Sequence, residues 1–131
     1  NDKLIVGKYK SNEIEGLKLR DAMAFNYALV QDGAAVQNKN VKVAYTTRTA
    51  LGQDADGRVL LLVIKGREPD SLGATLDELT EIMLQFGAVN AANLDGGTST
   101  CLYLNGESIY SGFRLDCSRS IPTAFLIAPV K

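Results

Sequence analysis

Apolar positions recur along this chain with two different periods, and the change between them locates its elements. In "YALVQDGAAVQ" (27–37) two apolar runs flank Asp32-Gly33, a dipeptide that favours a tight hairpin turn. "VKVAY" (41–45) alternates in the manner of a half-buried strand. "RVLLLVIKG" (58–66) is continuously apolar and rich in β-branched residues after the turn signal "DADG", and reads as a central strand covered on both faces. "VNAANL" (89–94) is a further strand, and "LYLNGESIY" (102–110) predicts a second hairpin around Asn105-Gly106. "TAFLIAPV" (123–130) reads as the last strand, with Pro122 at its start.

Helical spacing is clear once, in "GATLDELTEIMLQFGA". Thr75 and Glu78 form a capping-box pair, Leu76, Leu79, Ile82 or Met83, and Phe86 share a face, and Gly87 supplies a left-handed end. Asp77, Glu78 and Glu81 crowd the first turns, where they favour the helix dipole. A strand, this helix and strand 89–94 make a crossover whose two strands are expected to be parallel neighbours. The expected class is α+β (or α/β), a mixed sheet with one crossover and several hairpins. Residues 1–131 read as a single domain, since no repeat, linker or low-complexity tract interrupts them.

Composition narrows the chemistry. At 46% hydrophobic and 22% charged residues, the chain has a globular composition, and its longest apolar run, Val59 to Ile64, is far too short to span a bilayer. Fourteen basic against fifteen acidic residues leave a net charge of −1, which gives no reason to expect nucleic acid as a partner. Histidine is absent, so a Ser-His-Asp or Cys-His arrangement is excluded within the chain, as are zinc sites that need imidazole. No cofactor is called for, and a divalent metal is left open. Cys101 and Cys117 leave both a disulfide and two free thiols open.

One stretch stands apart: "AANLDGGTST" (91–100) runs from strand-like sequence into a carboxylate, two glycines and three hydroxyl residues. Asp95 falls at a strand end, where open sheets bind ligands. Gly96 and Gly97 allow close approach of backbone amides to an anion, and Thr98, Ser99 and Thr100 add hydroxyl donors. Such a loop suits a phosphate or a sugar edge, although "DGG" also makes ordinary turns. It is not a Walker loop, because no Gly-Lys-Ser/Thr follows and strand-like sequence comes next. Three arginines are candidate anion clamps: Arg48 in a polar break before Gly52, Arg67 at the end of the long apolar run, and Arg119 in "CSRSIP".

These pieces stand in a recognisable order. The stretch from "RTALG" through "GREPDSLGATLDEL" and "NAANLDGGTST", with "LYLNG" and "RSIPTAFLI" after it, resembles the phosphodiester glycosidase family over about residues 25–129. The resemblance implies hydrolysis of a sugar-1-phosphodiester, on exported or cell-envelope glycans such as exopolysaccharide, by a bacterial protein outside the cytoplasm. The same fold used as a non-catalytic glycan- or phosphate-binding module is the alternative. Carried over position by position, the family's signature falls on Arg48, Asn93, Asp95, Gly96, Gly97, Ser99 and Arg119. Arg48 and Arg119 are expected to hold the phosphate, with Arg67 and the hydroxyls of Thr98, Ser99 and Thr100 nearby, and Asp95 to face the reacting sugar. Glycosidases usually employ two carboxylates, and the second is not identifiable here. The family has a third glycine where this chain has Thr98, a position that would be strained at positive φ. It also has an "NGGFF"-like stretch earlier in the domain, so the chain reads as the C-terminal portion, completed by a second chain or by a homodimer.

Overall fold

The computed structural model describes residues 2–39, 41, 44–111 and 120–128. Along the chain come helix α1 (Ser11–Gly16), strands β1 (Ala28–Gln31), β2 (Ala34–Ala35), β3 (Arg48–Asp54) and β4 (Val59–Ile64), helix α2 (Leu76–Gln85), strand β5 (Ala88–Asn93), a 3-10 turn (Gly97–Ser99), and strands β6 (Cys101–Leu104) and β7 (Glu107–Ser111). Five strands form one sheet in the order β2-β1-β5-β3-β4, while β6 and β7 form a separate hairpin. Each pairing is antiparallel. Helix α2 covers one face of the large sheet, and Leu76, Leu79 and Met83 meet Leu29, Val30, Ala50, Ala88 and Ala91 there. The class is α+β.

Both predicted hairpins form, and for the predicted reason. Asp32 and Gly33 have φ of 48° and 80°, and Asn105 and Gly106 have 53° and 84°. Two left-handed residues in succession match the right-handed twist of the flanking strands. The α2 cap also forms as read: Glu78 N–H donates to Thr75 Oγ1 at 3.1 Å, and Thr75 N–H donates to the Glu78 carboxylate at 2.8 Å. Phe86 departs from the expected apolar face. It caps the helix end and stays 64% exposed, because the core-facing stripe closes at Met83.

The sheet differs from expectation in its order. The crossover β4–α2–β5 exists, and its strands run in the same direction, but β3 lies between them. The apolar run expected at the centre is therefore an edge strand. Leu60, Leu62 and Ile64 face the core under α2, whereas Val59 is 61% exposed. An uninterrupted apolar run does not distinguish a strand covered on two faces from one covered on a single face. Conversely, the segment around Arg48, which reads as a polar break, is β3, an interior strand. Its Gly52 leaves room for the helix, since a Cβ there would lie 2.4 Å from Met83 Cε.

Two further strand expectations fail. Residues 41, 44 and 45 are not in a strand, and 42 and 43 lie outside the described residues. Residues 123–128 form no strand and are exposed, and 129 and 130 lie outside the described residues. Among the described residues no helix is long and apolar enough to cross a membrane. Near the N-terminus, Leu4 N–H donates to Gln53 Oε1 at 2.7 Å and Gln31 Nε2 donates to the Val6 carbonyl at 2.6 Å, which ties the first residues to β3 and β1.

Candidate functional site

Strand β5, the middle strand of the sheet, delivers the "LDGGTST" loop at its carboxyl end. Leu94 N–H donates to the Thr49 carbonyl at 2.8 Å, extending the pairing with β3 by one residue. Asp95 follows and is exposed. The chain is fixed again immediately after it. Gly97 N–H donates to the Thr47 carbonyl, and Thr47 Oγ1 donates to the Gly97 carbonyl, both at 3.2 Å. The two glycines do different things. A Cβ on Gly96 would lie 2.7 Å from the Thr47 carbonyl oxygen, so only glycine allows this approach, whereas Gly97 occupies left-handed φ at 58°. Thr49 and Thr100 join their hydroxyls at 3.2 Å, and Thr100 is fully buried. Asp95 is thus an exposed carboxylate on backbone held firmly on both sides.

The anion nest expected from successive amides is partly used inside the loop. Ser99 N–H donates to the Gly96 carbonyl at 3.1 Å and Thr100 N–H to the Gly97 carbonyl at 3.3 Å, closing the 3-10 turn. Thr98 sits in that turn without a positive φ, so threonine in place of a third glycine brings no backbone strain. Asn93, the last residue of β5, is buried. Its backbone N–H donates to the Tyr27 carbonyl at 3.0 Å and its Nδ2 to the Asn26 carbonyl at 3.3 Å. Among the described residues its Oδ1 has no partner.

Of the three candidate arginines, Arg48 and Arg67 lie among the described residues. Arg48 Nε donates to the Ala74 carbonyl and its Nη2 to the Ala44 carbonyl, each at 2.9 Å. Burial pushes its guanidinium below the ordinary arginine value, and the nearby Tyr27 hydroxyl partly opposes this. A guanidinium has five N–H donors, so those two bonds fix Arg48 and leave donors for an anion. Arg67 is exposed at φ 58°, immediately before the turn closed by the Glu68–Ser71 bridge. Arg119 and Cys117 lie outside the described residues, while Cys101 is disulfide-bonded. Among the described residues no cluster of three or more His, Cys, Asp or Glu is placed to hold a metal ion.

The residues that the sequence did not single out are Thr47 and Thr49. They bind the loop across gaps of 50 and 51 positions, and no local pattern announces a contact of that range.

The model of the phosphodiester glycosidase family matches residues 1–128, so the likeness begins well ahead of residue 25. The chain belongs to the phosphodiester glycosidase family. Within it, the chain is 43% identical over 61 residues to bovine (Bos taurus) N-acetylglucosamine-1-phosphodiester alpha-N-acetylglucosaminidase, covering 47% of the chain and 11% of that enzyme. It is 32% identical over 97 residues to the SPbeta prophage-derived uncharacterized protein YomE of Bacillus subtilis, covering 69% of the chain and 15% of YomE. Among solved structures, a hypothetical protein from Synechocystis aligns with a TM-score of 0.60 at 32% identity, over 69% of this chain and 18% of that one. The zebrafish N-acetylglucosamine-1-phosphodiester alpha-N-acetylglucosaminidase catalytic domain, auto-inhibited by its pro-peptide, aligns with a TM-score of 0.55 at 26% identity, over 63% of this chain and 32% of that one. The chain therefore spans a minor part of the length of these relatives.

Proposed function

We propose that the loop after β5 belongs to a glycosidase site that hydrolyses a sugar-1-phosphodiester. Water adds to the anomeric carbon, the bond from that carbon to the phosphate oxygen breaks, and free sugar and a phosphomonoester leave. The observation that carries this reading is the placement of Asp95: an exposed carboxylate at the end of the central strand, on backbone fixed by Thr47 and Thr49. In this reading Asp95 faces the sugar as its acid–base or positioning group, and buried Asn93 anchors the start of the loop through its bonds to Tyr27 and Asn26. Arg48 offers its remaining N–H groups to the phosphate, assisted by Arg67, Arg119 and the Thr98 and Ser99 hydroxyls. Thr100, expected to join them, is fully buried and bonded to Thr49, and serves the scaffold instead. A phosphate monoester is a good leaving group, which lessens the demand for a strong general acid. The names of the bovine and zebrafish relatives favour N-acetylglucosamine as the sugar. The disulfide at Cys101 fits an oxidising compartment outside the cytoplasm, where exported or cell-envelope glycans occur.

Hydrolysis of the methyl diester of N-acetylglucosamine 1-phosphate in ¹⁸O-water tests the reaction class. Label in the released sugar is the expected result. Label in the phosphate would mean attack at phosphorus, and a phosphodiesterase instead. A second reading, a binding module for phosphorylated glycans, draws on the presence of Asp95 as the sole carboxylate from Asn93 to Thr100. Saturable binding without release of sugar would favour it.

A further inference from the structure

We propose that Tyr27 contacts the substrate and that its ring is a platform for the sugar, an inference that rests on the glycosidase reading above. Tyr27 holds φ at 73°, in the left-handed region that bulky side chains rarely occupy. Asp32 and Asn105 adopt such angles inside hairpin turns, but Tyr27 precedes β1 and belongs to neither turn. Its backbone is held there from the site itself. The Tyr27 carbonyl accepts the Asn93 N–H at 3.0 Å, and the preceding carbonyl, of Asn26, accepts Asn93 Nδ2 at 3.3 Å.

Core packing does not explain the residue, because Tyr27 remains 40% exposed. Tyr27 acts electrostatically on Arg48, favouring its charged form against the larger effect of burial. The residue therefore links Asn93, where the Asp95 loop begins, with Arg48, the candidate phosphate ligand. A half-exposed aromatic ring in that place presents an apolar face to the C–H face of a pyranose and a hydroxyl to its polar edge. Backbone strain of this kind persists where the surroundings impose it, and it clusters at ligand sites.

Tyr27→Asn and Tyr27→Phe separate this role from a structural one. Asparagine tolerates the left-handed backbone and removes the ring, so the variant is expected to melt higher than the wild-type chain. Its KM for the methyl diester of N-acetylglucosamine 1-phosphate is expected to rise about tenfold, with a smaller change in kcat. Tyr27→Phe keeps the platform and loses only the hydroxyl, so its KM is expected to rise by less than that of Tyr27→Asn. An unchanged KM in Tyr27→Asn overturns the proposal, as does a variant that fails to fold, which would make the ring a packing element. A wild-type chain that neither turns over nor binds the diester defeats the glycosidase reading and this inference with it. A wild-type chain matched by Tyr27→Asn defeats the inference alone.

Discussion

At the scale of single residues, the loop from Asp95 to Thr100 is built to hold still. Thr47 contributes most to this, because it is fully buried and bonds Gly97 through both its carbonyl and its hydroxyl. Thr47→Val keeps the shape but leaves the Gly97 carbonyl without its side-chain donor, an expected loss of about 1–2 kcal/mol in denaturant midpoint experiments. Thr47→Ser, which retains the donor, should recover most of that loss. Arg48, proposed above as a phosphate ligand, also has a structural role that sequence alone did not reveal. Two of its bonds go to the Ala74 and Ala44 carbonyls, so Arg48→Lys is expected to lower stability measurably as well as weaken phosphate binding. Titration calorimetry with inorganic phosphate and a melting curve on the same sample separate the two effects. The loop itself was legible because a carboxylate, paired glycines and hydroxyls after a strand are a compositional signal. Thr47 and Tyr27 were not, since their partners lie far along the chain and one of the two signals is a backbone angle.

At the scale of elements, local chemistry predicted whatever local chemistry controls. The two hairpins and the α2 cap follow from side chains within four positions of each other. Thr75→Ala is therefore expected to cost about 1 kcal/mol, read from the thermal midpoint. The β3–β4 turn gives a dependence on pH. Arg58 Nε donates to the Asp54 carboxylate at 2.6 Å, and the Asp56 and Arg58 amides donate to it as well, which holds Asp54 below the ordinary carboxylate value. A carboxyl depressed in the folded state contributes stability that is present above its unfolded value of about 4 and lost as pH falls through the lower folded value. Asp54→Asn should flatten that part of the acid unfolding profile. Failure came where burial depends on sheet order. The apolar run of β4 looked central and lies at an edge, while β3, with its threonine, glycine and glutamine, looked like a break and lies inside.

At the scale of the whole molecule, the sheet order explains how the site is assembled. The crossover from β4 through α2 passes over β3 and sets β5 in the middle of the sheet, so the loop after β5 emerges beside the start of β3. The same order leaves Val59 exposed at the β4 edge. Val59→Lys should change stability by less than about 0.5 kcal/mol in chemical denaturation, whereas lysine at Leu62, which faces the core, should unfold the protein. Sequence motifs identified the family because their order survives in the chain. They did not reveal the geometry of Arg48, whose guanidinium is held by two carbonyls outside β3, those of Ala44 and Ala74. The central claim is that Asp95 acts on a sugar-1-phosphodiester, and the most direct measurement is sugar release by wild type and Asp95→Asn at matched concentration. The wild-type chain is expected to release sugar, and Asp95→Asn to melt at the same temperature but turn over at least about a hundredfold more slowly. Equal turnover by the two proteins would contradict the claim.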